Sequence, residues 1–166
     1  LGQFTKAEPL YLEALQIHKE TLGNKHPDTA TSINNLAMLY QDQGQYAKAE
    51  SLLVESLKIL RETLGNKHPN TATTISSLAS IYERQTQYAK AEPLFVEALK
   101  IHREVLGNKH ADTASSINNF AMFYSGQGQY SKAESLFVES LKILRETLGN
   151  KHSKTATTIN NLAFLY

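Results

Sequence analysis

The chain contains no cysteine in its 166 residues. Disulfides, thiolate metal sites and cysteine nucleophiles are therefore excluded. No charge of one sign dominates: 17 Lys and Arg stand against 16 Asp and Glu, for a net charge of +1. The basic residues are scattered along the chain, whereas binding to nucleic acid rests on neutralising several phosphates with a basic patch. Nucleic acid is not an expected partner. No apolar run approaches the roughly 20 residues needed to span a bilayer, so no membrane association is expected and a cytoplasmic location is. The chain opens Leu1-Gly2-Gln3-Phe4, which reads as the middle of a repeat and not as a signal peptide. It is expected to be a piece of a longer array.

What the chain does have is a period. Gly-Asn-Lys-His occurs at Gly23, Gly65, Gly107 and Gly149, always 42 residues apart. Self-similarity at a fixed period marks a repeat architecture, in which one unit cannot bury its apolar face alone. The segments 27–68 and 111–152 are identical at 34 of 42 positions. In the first of them, Ala30, Ile33, Leu36, Ala37 and Tyr40 recur at helical spacing from Pro27 to about Tyr40. Pro27 suits the first helical turn, where its missing N–H is unpaired anyway. Gln41 to Gln45 is polar around Gly44 and reads as a tight turn. A second amphipathic helix over Tyr46–Leu64 follows, with a stripe of Ala49, Leu52, Leu53, Ser56, Leu57, Leu60 and Leu64. Gly65 fits the position after the helix end, where positive φ costs glycine nothing. Thr86 stands where Gly44 and Gly128 stand in the other copies, so a β-branched residue is expected under strain there.

The predicted organisation is a single array over 1–166. Residues 1–26 form a half repeat holding only a second helix. Complete repeats follow at 27–68, 69–110 and 111–152, and 153–166 is a half repeat holding only a first helix. Eight helices follow from this count, in antiparallel pairs.

The helix pair resembles the tetratricopeptide repeat. Leu36, Ala37 and Tyr40 match the first-helix element of that family, and Ala49, Leu53 and Ser56 match the second. The longer 42-residue form, with Asn34-Asn35-Leu36-Ala37, Lys48-Ala49-Glu50 and Leu64-Gly65 through His68-Pro69, is similar to the kinesin light chain tetratricopeptide domain. The resemblance covers essentially the whole chain. It implies a right-handed all-α solenoid whose first helices line a concave groove, and a non-catalytic scaffold that binds an extended peptide there.

Candidate groove residues are then those of the first helices outside the packing stripe. Asn34-Asn35 recurs as Asn118-Asn119 and Asn160-Asn161, with Ser76-Ser77 in the remaining copy. Asparagine is a poor helix former, yet its carboxamide offers both donors and an acceptor to a peptide backbone. Asn35, Asn119 and Asn161 are the stronger candidates. Met38 and Met122, with Phe164, would add adaptable apolar surface. A bland alternative has the asparagines holding repeat against repeat. No basic residue occupies the groove positions Thr31, Asn34 or Asn35, or their counterparts in any other copy, so a clamp for a C-terminal carboxylate is not expected.

Neither a metal nor a cofactor is expected. His26, His68, His110 and His152 occur once per repeat, and stacking at about 10 Å keeps them from sharing a zinc ion, which needs nitrogens at about 2.0–2.1 Å. His18 and His102 align with Leu60 and Leu144 on the packing stripe, and are expected at the edge of the core with one ring nitrogen reaching solvent. No copy holds a nucleophile–base–acid set that the other copies lack, so no catalytic residue is assigned. The competing role is a structural spacer, or an array that associates head to tail through its unpaired terminal helices.

Overall fold

The computed structural model describes residues 3–166, so Leu1 and Gly2 of the first half repeat lie outside the described residues. Among the described residues every element is a helix: α1 (Phe4–Leu22), α2 (Pro27–Asp42), α3 (Tyr46–Thr63), α4 (Pro69–Arg84), α5 (Tyr88–Leu106), α6 (Ala111–Gly126), α7 (Tyr130–Thr147) and α8 (Ser153–Leu165). The first helix of the unit runs two residues beyond Tyr40, and Leu64 caps α3 instead of closing it. The chain divides into two compact units, one reaching Ala91 and the other starting at Glu92.

The Gly-Asn-Lys-His tetrapeptide builds the joint between α-helices. Gly23 has φ +92 and ψ 162, a region open essentially to glycine alone and further from helical than the left-handed turn expected at a helix end. Its carbonyl accepts the Thr29 hydroxyl at 2.8 Å, and the same bond recurs from Thr71 to Gly65, Thr113 to Gly107 and Thr155 to Gly149. These four threonines are wholly buried. The histidine then caps the next helix: Nδ1 of His26, His68, His110 and His152 accepts the backbone N–H two residues on, at 3.1 Å each time. This satisfies one of the unpaired donors at a helix start. Lys25 reaches Glu62 at 2.9 Å, and Lys109 reaches Glu146 at 3.4 Å.

The Lys-Ala-Glu tripeptide ties successive helix pairs together. Ala49 is buried against the core, while Lys48 lies over the Tyr40 ring of its own repeat, 4.9 Å from the centroid. The carboxylate looks the other way. Tyr40 donates to Glu8 at 2.9 Å, Tyr124 to Glu92 at 2.8 Å and Tyr166 to Glu134 at 2.8 Å. Tyr82 hydrogen-bonds Glu50 likewise. Burial and then the neighbouring carboxylate push these phenols up, Tyr124 to about 12. For Tyr166 the hydrogen bond to Glu134 comes first.

Within the first unit Leu15, Ala30, Ile33, Leu36, Leu39, Ile59 and Leu60 form one buried cluster. In the second unit aromatic rings fill the equivalent space: Phe95 stacks on Phe120 at 5.9 Å, and Phe123 lies 5.2 Å from Phe95. The expectation of a half-solvated ring is corrected at His102, while His18 is half-buried. His102 is 3% exposed and its Nδ1 lies 2.6 Å from the Ser116 hydroxyl; His18 makes the same contact to Ser32 at 2.7 Å. Where leucine replaces histidine, threonine replaces serine and turns inward: Thr74 donates to the Asn70 carbonyl and Thr158 to that of Lys154. Packing therefore alternates with a period of two repeats, which single-repeat periodicity does not reveal.

Two outcomes follow. Thr86 has φ +60, beside +73 for Gly44 and +71 for Gly128. Thr86→Gly is expected to stabilise the fold by about 1 kcal/mol, read as a higher Tm, and Gly44→Thr to cost a similar amount through the backbone alone, because a Cβ there meets nothing within 4 Å. Second, a phenol whose folded pKa is raised stabilises the fold below its ordinary value of 10 and loses that contribution as pH rises. Stability should fall between pH 10 and about 12 as Tyr124 ionises. Phenolate absorbance followed alongside denaturant unfolding checks this, and Glu92→Gln should weaken the effect.

Candidate functional site

The first helices present their polar residues on one face in each unit. In the first unit a cavity of about 290 Å³ lies between α2 and α4, lined by Thr31, Asn34, Asn35, Met38, Leu60, Asn70, Thr73 and Ser77. On α2 these fall at i, i+3, i+4 and i+7, and on α4 at i, i+3 and i+7, so each set shares one helix face. The second unit has a cavity of about 200 Å³ between α6 and α8, lined by Ser115, Asn118, Asn119, Leu144, Ser153, Lys154, Thr157 and Thr158. The floor of each is one leucine of the preceding second helix, Leu60 or Leu144.

The structure brings Asn34, Asn35, Met38 and Ser77 together around the first cavity, and Asn118 with Asn119 around the second. Ser76, Met122 and Asn160 lie apart from them, while Asn161 is joined to Asn118. Ser76 is buried at 6% exposure. Met122 is exposed but outside the cavity, as is Asn160. Asn161 donates its amide to Asn118 Oδ1 at 3.1 Å.

The two members of an asparagine pair differ in surroundings. Asn34 Nδ2 donates across to Thr74 Oγ1 at 2.8 Å. Thr74 spends its own proton on the Asn70 carbonyl, which fixes the Asn34 amide the right way round. Asn34 Oδ1 is left buried without a partner among the described residues. Asn35, by contrast, is exposed. One asparagine therefore holds helix to helix while the next faces outward.

Several lining residues were not picked out by sequence reasoning: Asn70, Thr73, Lys154, Thr157 and the floor leucines. The signal was available in the i, i+3, i+7 register of Asn70, Thr73 and Ser77, but only once the partner helix of each cavity is known. Lys154 carries the one direct charge contact, with Nζ 3.0 Å from Asp112 Oδ1. Burial by itself would raise the Asp112 carboxyl, but the Lys154 hydrogen bond and charge, with smaller fields from His110 and His102, outweigh it and hold the group below its ordinary value.

The profile of the family described as tetratricopeptide repeat matches residues 1–62, 32–104, 73–146 and 112–166, and so runs through the whole chain. The chain belongs to the tetratricopeptide repeat family. Its all-α solenoid fold follows from that membership. Among solved structures it is similar to BtubC (BKLC) from P. vanneervenii, with 29% identity and a TM-score of 0.77; 99% of this chain and 66% of that one are covered. It is also similar to kinesin light chain nearly identical TPR-like repeats of Podosopora anserina, with 28% identity, a TM-score of 0.72, and 99% and 78% of the two chains covered. The chain thus spans just under two thirds of the length of BtubC. No curated protein sequence matches it. Tetratricopeptide repeats generally mediate protein–protein interaction, and they are generally not enzymes.

The split within the asparagine pair is measurable. Asn34→Ala is expected to lose about 1 kcal/mol of stability with its inter-helix hydrogen bond. Asn35→Ala, on the exposed face, should stay within about 0.5 kcal/mol of the parent. Urea unfolding of the two variants decides it.

Proposed function

We propose that this chain is a non-catalytic scaffold that binds an extended peptide along the first-helix face, in the manner of a kinesin light chain tetratricopeptide domain. The observation that carries this reading is the pair of cavities with outward carboxamides over a leucine floor. A carboxamide at Asn35 or Asn119 can donate to a peptide carbonyl and accept from a peptide N–H. The floor and Met38, 56% exposed, offer a place for an apolar anchor. Such a surface reads backbone and shape more than charge, and the hydroxyl and amide rim satisfies a peptide that cannot supply its own partners.

A second reading, head-to-tail association of copies, is favoured by the apolar surface of α8 and α1. Phe164 is 88% exposed, Tyr166 82% and Leu10 65%. A heterologous contact of this kind does not close on itself and can propagate.

One experiment separates the two. Random peptides on display would be selected against the parent chain and counter-screened with the Asn35→Ala, Asn119→Ala double variant, Asn161 being left in place because it holds Asn118. Peptides that share a motif and lose at least tenfold in affinity for the variant are the expected result. Absence of any enriched motif, together with sedimentation that grows with protein concentration, transfers the role to self-association.

A further inference from the structure

The two cavities occupy equivalent places 84 residues apart, yet they differ in charge. Position 154 of the second unit is a lysine that lines its cavity and rests its ammonium on Asp112, at 3.0 Å. The equivalent residues of the first unit are Asn70 and Asp28. Asp28 therefore has no Lys or Arg partner among the described residues; its one close ionisable neighbour is His26 Nδ1 at 3.6 Å, and its side chain is 65% exposed. What the second unit supplies from its own chain, the first unit leaves to be supplied.

The lining of the first cavity points the same way. Thr31 donates its hydroxyl proton to the Pro27 carbonyl at 3.1 Å, Thr73 to that of Pro69 at 3.1 Å and Ser77 to that of Thr73 at 3.2 Å. A hydroxyl has one proton and two lone pairs, so these three face the cavity as acceptors. Asn34 has committed one of its two amide protons to Thr74, and its buried Oδ1 has no partner among the described residues. Side-chain donors remain on Asn34, with one amide N–H left, and on Asn35 and Asn70, each of which brings an acceptor with it. Acceptor oxygens outnumber donor nitrogens around this cavity, and the Asp28 carboxylate stands one turn before Thr31 on the same face of α2. A carboxylate entering it finds no cation. A guanidinium, with its five N–H groups and no acceptor, finds what it needs.

We infer that the cavity between α2 and α4 receives an Arg or Lys side chain of the bound peptide, with Asp28 as counter-ion in the place that Asp112 holds for Lys154. The inference rests on the peptide-binding reading above and adds the chemistry of one ligand position. The cavity of the second unit, already holding its own ammonium, has no such preference.

The probes are four terminally blocked nonapeptide libraries with neutral flanks and a central Arg, Lys, citrulline or Glu, measured by fluorescence anisotropy at low salt, where a rim charge is least screened. The Arg and Lys libraries are expected to bind about fivefold tighter than citrulline, the upper end for a partly exposed ion pair, and Glu weakest. Asn70→Lys installs the intramolecular ammonium of the second unit and should erase the preference, the Arg, Lys and citrulline libraries then binding alike. Asp28→Asn should erase it too, with an unchanged helical circular dichroism spectrum as the check on folding. Equal binding of Arg and citrulline, or an Arg preference that survives both substitutions, overturns the inference. If the libraries bind without charge preference yet lose affinity with Asn35→Ala, the groove reading stands and the cation reading falls. If none binds, both fall.

Discussion

Everything on the groove-facing side depends on where each first helix begins, and one cluster of hydrogen bonds sets that point. A glycine at positive φ turns its carbonyl toward a buried threonine six residues on, and the intervening histidine accepts the first amide of the helix. Start point and helical phase are then no longer adjustable. With the helix start held, positions 31, 34, 35 and 38 must fall on one side and positions 30, 33, 36 and 37 on the other. A shift of one residue at the joint would rotate the helix by about 100° and carry Asn35 away from the cavity. The same threonine explains why a polar residue can be wholly buried at this place: its hydroxyl is satisfied, so burial costs little.

The second device, the tyrosine between a lysine and a glutamate, sets the distance between helix pairs where the joint sets their phase. The phenol needs the carboxylate from the preceding pair and the ammonium from its own, so neither Lys48 nor Glu50 can be read as ordinary surface charge. Both act at partial exposure, where an isolated ion pair contributes little. The gain comes from the ring, which brings buried area and a hydrogen bond to the same contact. Because the tripeptide sits at the start of the second helix, this contact fixes its first turn, while Leu53, Leu57, Ile59 and Leu60 hold the rest of α3 in the core.

Much of this was legible in the residues. The period, the helix pairs and the apolar stripes needed only the spacing of Ala30, Ile33, Leu36 and Leu53, since burial follows the helical phase directly. Strain at Thr86 was legible for the same kind of reason, a β-branched residue standing where its counterparts are glycine. What stayed hidden involves partners distant in sequence. Nothing about His26 alone says that it caps a helix, and nothing about His102 says that it is buried against Ser116, because its own repeat position is leucine in the adjoining copies. Asn34 and Asn35 look equivalent in sequence; only the position of Thr74, 40 residues on, separates the one that joins helices from the one that faces outward. Part of each cavity likewise comes from a helix in the next repeat.

The alternation of packing pairs also bears on selectivity. Because His/Ser and Leu/Thr pairs must change together to keep every buried polar group satisfied, the duplicated element is best regarded as two repeats long, with Asp28 and Asp112 in one place and Asn70 and Lys154 in the other. Comparison of the two copies of this longer element is then informative about the groove. The outer helices over 46–64 and 130–148 differ only at Ala47/Ser131 and Leu53/Phe137. The following first helices differ at six positions within a shorter span, among them Asn70/Lys154, Ser77/Asn161 and Ser80/Phe164. Two of these three positions face the cavities or the neighbouring asparagine, and all three change charge, hydrogen-bonding reach or apolar area. These differences give the two cavities distinct chemistry: one is lined by neutral hydroxyls and carboxamides, the other by an ammonium already paired with a carboxylate of its own unit.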